Sequence, residues 1–80
     1  MTRPLLTFAD EALARGDFEP ARRCYAAVIA TGAASDAVFL NLALAIWRLG
    51  RHDEALAALQ RGRAAFPASA ELHYRAARLL

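Results

Sequence analysis

The stretch DAVFLNLALAIWRLG, residues 36–50, decides how this chain folds. Between Ala37 and Trp47 it holds a single polar residue, Asn41, so a helix built here has no mostly polar face. A helix that is apolar all round has to be covered on several sides. Its apolar run is also far shorter than the roughly 20 residues a membrane span needs. The cover must come from the rest of the chain or from something the chain binds.

The rest of the chain favours helices too. Of its 80 residues 58% are hydrophobic, with 21 alanines, 12 leucines and no lysine. Alanine and leucine are strong helix formers, and β-branched residues are few and scattered. Eighty residues make one domain at most, whose small core is only marginally stabilising alone. Ten arginines face eight carboxylates, a net charge of +2 spread along the chain, which argues against a nucleic-acid surface. Alanine and arginine without lysine suggest a GC-rich bacterial genome. The lone Cys24 allows no intrachain disulfide, and Asp10 and Glu11 interrupt the apolar run a signal peptide would need. A cytoplasmic protein is expected, with no membrane segment.

Helix boundaries follow from the spacing of apolar residues and from capping chemistry. Pro4 suits a first turn, and Leu5, Phe8, Ala9, Ala12 and Leu13 recur at helical spacing until Gly16. Asp17 can cap a second helix, with Pro20 in its first turn and Ala21, Cys24, Tyr25, Val28 and Ile29 on its apolar face; Thr31-Gly32 ends it. Ser35 caps the central helix, Asp36 sits at its positive end, and Gly50 closes it. Asp53 and Glu54 open a fourth helix, whose inner face is Ala55, Leu56, Leu59 and Phe66. Gly62 lies inside it, either as a weak point near the helix end or as a close crossing with a neighbouring backbone. Pro67 precedes a last helix, capped by Ser69. The expectation is an all-α fold of five helices and no strand.

The chain also repeats itself. A shift of 34 residues, without gaps, places Gly16 on Gly50, Ala21 on Ala55, and Ala9 on Ala43 and Ala77. Leu5 falls on Phe39, Phe8 on Leu42, Ala12 on Ile46 and Leu80, and Tyr25 on Leu59. GDFEPA, residues 16–21, lies over GRHDEA, residues 50–55.

In these positions the chain resembles tetratricopeptide repeats, a family of 34-residue helix–turn–helix units. The small residues where paired helices touch are Ala9, Ala43 and Ala77, the turn glycines Gly16 and Gly50, and the second-helix alanines Ala21 and Ala55. Pro67 closes the second unit, and Ala33 stands in its place after the first. Gly62 and His73 depart from the family pattern, replacing an alanine and a large apolar residue. The resemblance implies an α-solenoid of two and a half repeats in one domain, residues 1–80: a first repeat at about 2–35, a second at about 36–69, and residues 70–80 as a partial repeat or capping helix. Glu71, Arg75 and Arg78 would give such a cap its polar face, and an array continuing beyond residue 80 is an equal alternative.

By the same resemblance, the first helices line a concave groove for a peptide or a partner helix. The groove residues implied are Leu6, Asp10 and Leu13; then Leu40, Asn41, Leu44, Trp47 and Arg48; then Glu71, Tyr74, Arg75 and Arg78. Leu40, Leu44 and Trp47 form one stripe, and Phe39, Leu42, Ala43 and Ile46 another, so one would face the groove and the other would pack. The opposing possibility is that neighbouring helices cover Leu40, Leu44 and Trp47 as well. One subclass of the family grips the acidic C-termini of heat-shock chaperones with a two-carboxylate clamp. Only Asn41 and Arg75 match that clamp; Leu6, Asp10 and Glu71 stand where it needs two lysines and an asparagine. A partly apolar ligand, with an acidic portion meeting Arg48, Arg75 or Arg78, suits the residues better.

Nothing in the sequence has the spacing of a catalytic or metal site. His52, expected in a turn, and His73 lie far from Cys24, and the glycines form no phosphate-binding loop. Arg22-Arg23 and the Arg61/Arg63 pair read as solvated faces. No enzyme activity, metal or cofactor is expected. The expected partner is a protein or peptide, with self-association into a scaffold, or service as the N-terminal regulatory part of a longer enzyme, as alternatives.

Overall fold

Among the described residues three backbone positions have left-handed φ angles, and each is a glycine: Gly16 at 82°, Gly32 at 79° and Gly50 at 83°. An L side chain disfavours that region, so glycine is where a helix can stop and the chain turn back. After Gly16 and after Gly50 the stop is built from the same pair of hydrogen bonds, 34 residues apart. Gly16 N–H donates to Leu13 O (3.1 Å) and Asp17 N–H to Ala12 O (2.8 Å); Gly50 N–H donates to Trp47 O (2.9 Å) and Arg51 N–H to Ile46 O (3.2 Å). Both are Schellman closures.

The computed structural model describes residues 2–79, with side chains described for residues 4–78. It contains α1 (Thr2–Arg15), α2 (Phe18–Ala30), α3 (Asp36–Arg48), α4 (His52–Ala65) and α5 (Ala70–Leu79). There is no strand among the described residues, as the composition predicts. Consecutive helices pack on one another, and α5 also touches α3. The all-apolar helix α3 is therefore covered by α2, α4 and α5, which is why Val38, Phe39, Leu42, Ala43, Ala45 and Ile46 are all buried. Among the described residues no helix is long and apolar enough to cross a membrane.

Helix pairing rests on small residues at close contacts. Ala9, Ala21, Ala43 and Ala55 are fully buried where paired helices meet. Around them Val28, Leu59 and Leu72 are shut off from solvent, each burial worth about 1.5–3 kcal/mol. Gly62 is a close crossing: a Cβ there would meet the Phe39 side chain at 2.7 Å. Beyond the four expected residues of α4's inner face, Ala58 and Gly62 are buried as well, while Leu56 and Phe66 are partly so.

Four sequence expectations need correction. Phe8, set on the buried position of Leu42, is 52% exposed, because no helix among the described residues lies against that side of α1. Ala77, matched to Ala9 and Ala43, is exposed for the same reason on the open side of α5. Asp17 and Ser35 occupy N-cap positions, yet neither side chain makes a capping bond. Asp17 pairs instead with Arg15 (3.2 Å), and at the start of α3 it is Asp36 Oδ1 that accepts the Ala37 N–H (2.8 Å). His52 is not in the turn; it is the first residue of α4. Ser69 does cap, its Oγ accepting the Leu72 N–H at 3.2 Å. Leu80 lies outside the described residues.

Candidate functional site

The 34-residue register places Leu6, Leu40 and Tyr74 at one position of three helices, and Asp10, Leu44 and Arg78 at another. Four residues apart on each helix, these positions fall on one face. Between α3 and α5 this face encloses a cavity of about 520 Å³, lined by Leu40, Asn41, Leu44, Tyr74, Arg75 and Arg78. Its floor is apolar through the two leucines. Its α5 wall is aromatic and cationic, with Tyr74 59% exposed.

Those cations are held loosely. Arg75 Nε pairs with Glu71 (3.3 Å) one turn earlier, and both are well exposed. Arg78 Nη1 donates to the Tyr74 hydroxyl at 3.4 Å, with its guanidinium 5.8 Å from the Tyr74 ring centre. No carboxylate among the described residues pairs with Arg78. Among the described residues one positive charge is thus left over at this wall.

On the other side of α3, α1 contributes Asp10. The fully buried Tyr25 crosses from α2 and donates its hydroxyl to Asp10 Oδ1, and Asn41 interacts with the same hydroxyl. Burial, and then the Asp10 carboxylate, push the Tyr25 phenol above its ordinary range, so it serves as a fixed neutral donor. Asp10 itself is exposed, with no arginine paired to it among the described residues. Asn41 therefore links the Asp10–Tyr25 pair to the cavity that it also lines.

Six of the expected groove residues come together in this cavity, and six do not line it, Glu71 among them, which pairs with Arg75. Leu6 and Leu13 are partly buried against the core. Asp10 lies at α1, as described. Trp47 is partly buried and stacks on His52, ring centres 4.1 Å apart at 24°. Arg48 turns to α2, its guanidinium 6.0 Å from the Phe18 ring centre. The sequence reading missed the Asp10–Tyr25 link. Its signal was a tyrosine where the second repeat has Leu59: a buried phenol needs an acceptor, and α1 offers Asp10.

The opposite face is mostly paired. Glu19 receives Arg22 (2.5 Å), Arg23 (3.5 Å) and Arg51 (3.9 Å), which ties α2 to the start of α4. The Arg22 hydrogen bonds chiefly hold the Glu19 carboxyl down at about 2. Arg63 Nε donates to His73 Nδ1 (3.0 Å), whose Nε2 lies 2.9 Å from Pro67 O, so this histidine clips α4 to the turn before α5. No group of three or more potential metal ligands occurs among the described residues.

A family model described as Tetratricopeptide repeat matches residues 6–70 and, in a second match, residues 40–80. Comparison with curated proteins and with solved structures returned no match. Tetratricopeptide repeats generally mediate protein–protein interaction, bind proteins or peptides, and are typically non-catalytic. With nearly its whole length matched, and with helical hairpins that repeat at 34 residues, this chain belongs to the tetratricopeptide repeat family.

Proposed function

We propose that this chain is an interaction module that receives an extended peptide segment of a partner protein along α1, α3 and α5. The α3–α5 cavity is its anchoring point. The observation that carries the reading is the cavity's lining, where Leu40 and Leu44 lie beneath Tyr74, Arg75 and Arg78. Apolar floor with a few convergent polar groups is the usual composition of a binding site. An apolar side chain would fill the floor, and an acidic group beside it would meet the arginines.

The test is peptide selection from a phage-displayed random library, followed by amide chemical-shift mapping. Selected peptides should perturb Leu40, Asn41, Leu44, Tyr74 and Arg78. Leu44→Glu should weaken them at least tenfold without changing the helical circular dichroism. Perturbations confined to α2 and α4 would refute the groove.

A second reading, self-association, is favoured by the exposed Phe8 ring and the open side of α5 at Ala77. Sedimentation velocity across a hundredfold concentration range decides it, and a persistent monomer removes it.

A further inference from the structure

Building on the groove reading, we infer that the groove is electrically polar and recognises a charge-asymmetric peptide, basic where it passes α1 and acidic where it passes α5. The row that carries this is Asp10, Leu44 and Arg78, one residue from each of three successive first helices at the same place in the repeat. Across the groove it reads anion, apolar, cation. Each charge is available to a ligand: Asp10 is exposed and, among the described residues, has no cationic partner and accepts the neutral Tyr25 hydroxyl, while Arg78 has no carboxylate partner there and meets the Tyr74 side chain. Asn41, which lines the cavity, lies near the Tyr25 hydroxyl that Asp10 accepts, which sets the α1 anion beside the α3 end of the cavity.

The physical consequence concerns selectivity more than strength. A peptide with carboxylates at both ends meets Asp10 with like charge, and one with cations at both ends meets Arg78 likewise. Juxtaposed like charges reject a ligand, so only the mixed pattern is accepted at both ends. Tyr25 holds the Asp10 carboxylate in place, which makes it a positioning residue and Asp10 the contact. Screening shortens the reach of exposed charges, so this preference weakens as salt rises.

The experiment pans one library of phage-displayed random dodecapeptides, in parallel, on wild type, Asp10→Lys and Arg78→Glu, with the fold of each checked by circular dichroism. Wild type should enrich peptides carrying a basic and an acidic residue separated by an apolar one. Asp10→Lys should enrich acidic residues in place of the basic one, and Arg78→Glu basic residues in place of the acidic one. Asp10→Asn, which keeps an acceptor for Tyr25, should bind wild-type peptides about tenfold more weakly in low salt. If Asp10→Lys enriches the wild-type sequences, the polarity is wrong and the groove stands. If enriched peptides are insensitive to Leu44→Glu as well, the groove reading itself fails, and an absence of enrichment on all three proteins overturns both.

Discussion

A methyl group on Gly62 would lie 2.7 Å from Phe39 Cβ, 3.1 Å from Phe39 Cγ and 3.3 Å from Leu72 Cδ1. Here α4 crosses α3 with no room for a side chain. Phe39 cannot retreat, because its Cβ is fixed to its own backbone and Phe66 meets its ring edge-on with centres 6.1 Å apart. Helix propensity alone favours alanine over glycine by about 1 kcal/mol. Overpacking a core costs about 1–3 kcal/mol. The second effect should win, so Gly62→Ala is expected to lower the urea midpoint by the equivalent of up to about 2 kcal/mol. A rise in the midpoint would mean that the crossing is looser than described.

Ser69 joins two repeats as well as capping a helix. Its Oγ accepts the Leu72 N–H at the start of α5 and donates to Asp36 Oδ2 (2.7 Å) at the start of α3. Ser69→Ala removes both bonds, and loss of an N-cap alone costs about 1 kcal/mol. Hydrogen exchange should quicken first at the amides of α5, with α1 and α2 little changed. Uniform quickening along the chain would show that α5 does not open separately.

Tyr25→Phe should destabilise by about 1 kcal/mol, the size of one hydrogen bond, because the exposed Asp10 carboxylate can turn to water once its donor is gone. The folded state holds the Tyr25 proton beyond its ordinary range. Its contribution is therefore complete below about pH 10, where a free tyrosine titrates, and is lost as pH rises further. Stability curves measured at alkaline pH should fall less steeply for Tyr25→Phe than for wild type.

Glu19 carries the opposite sign. Its carboxyl is lowered from 4.5 to about 2 by the Arg22 hydrogen bonds. The pairing contributes fully above pH 4.5 and is lost as pH falls towards 2. Glu19→Gln should flatten the pH dependence of the denaturation midpoint over that window, with wild type and variant converging at its acid end. Parallel curves would exclude Glu19 as a source of the acid dependence.

Much of this molecule could be read from residue order. The stops at Gly16, Gly32 and Gly50 follow from which residue tolerates a left-handed backbone, and the buried stripe Phe39, Leu42, Ala43 and Ile46 from helical spacing. Capping was less legible. Asp17 and Ser35 are both suitable caps, but a carboxylate or hydroxyl chooses among several nearby partners, and only the relative placement of Arg15 and Asp36 selected the winner.

Sequence by itself determined the helical hairpins, their 34-residue repeat and the apolar core of α3, because spacing, propensity and turn chemistry act over a few residues. Tertiary structure decided what each surface meets. Phe8 and Ala77 repeat the types of buried residues and are exposed, since burial depends on a neighbouring helix rather than on the residue. Gly62 became a crossing rather than a weak point through Phe39, 23 positions away in the chain. Leu40 and Leu44 came to share a cavity with Tyr74, Arg75 and Arg78, while Trp47 on the same stripe stacked on His52. Helical periodicity says which residues share a face, and only the packing of helices says what that face encloses.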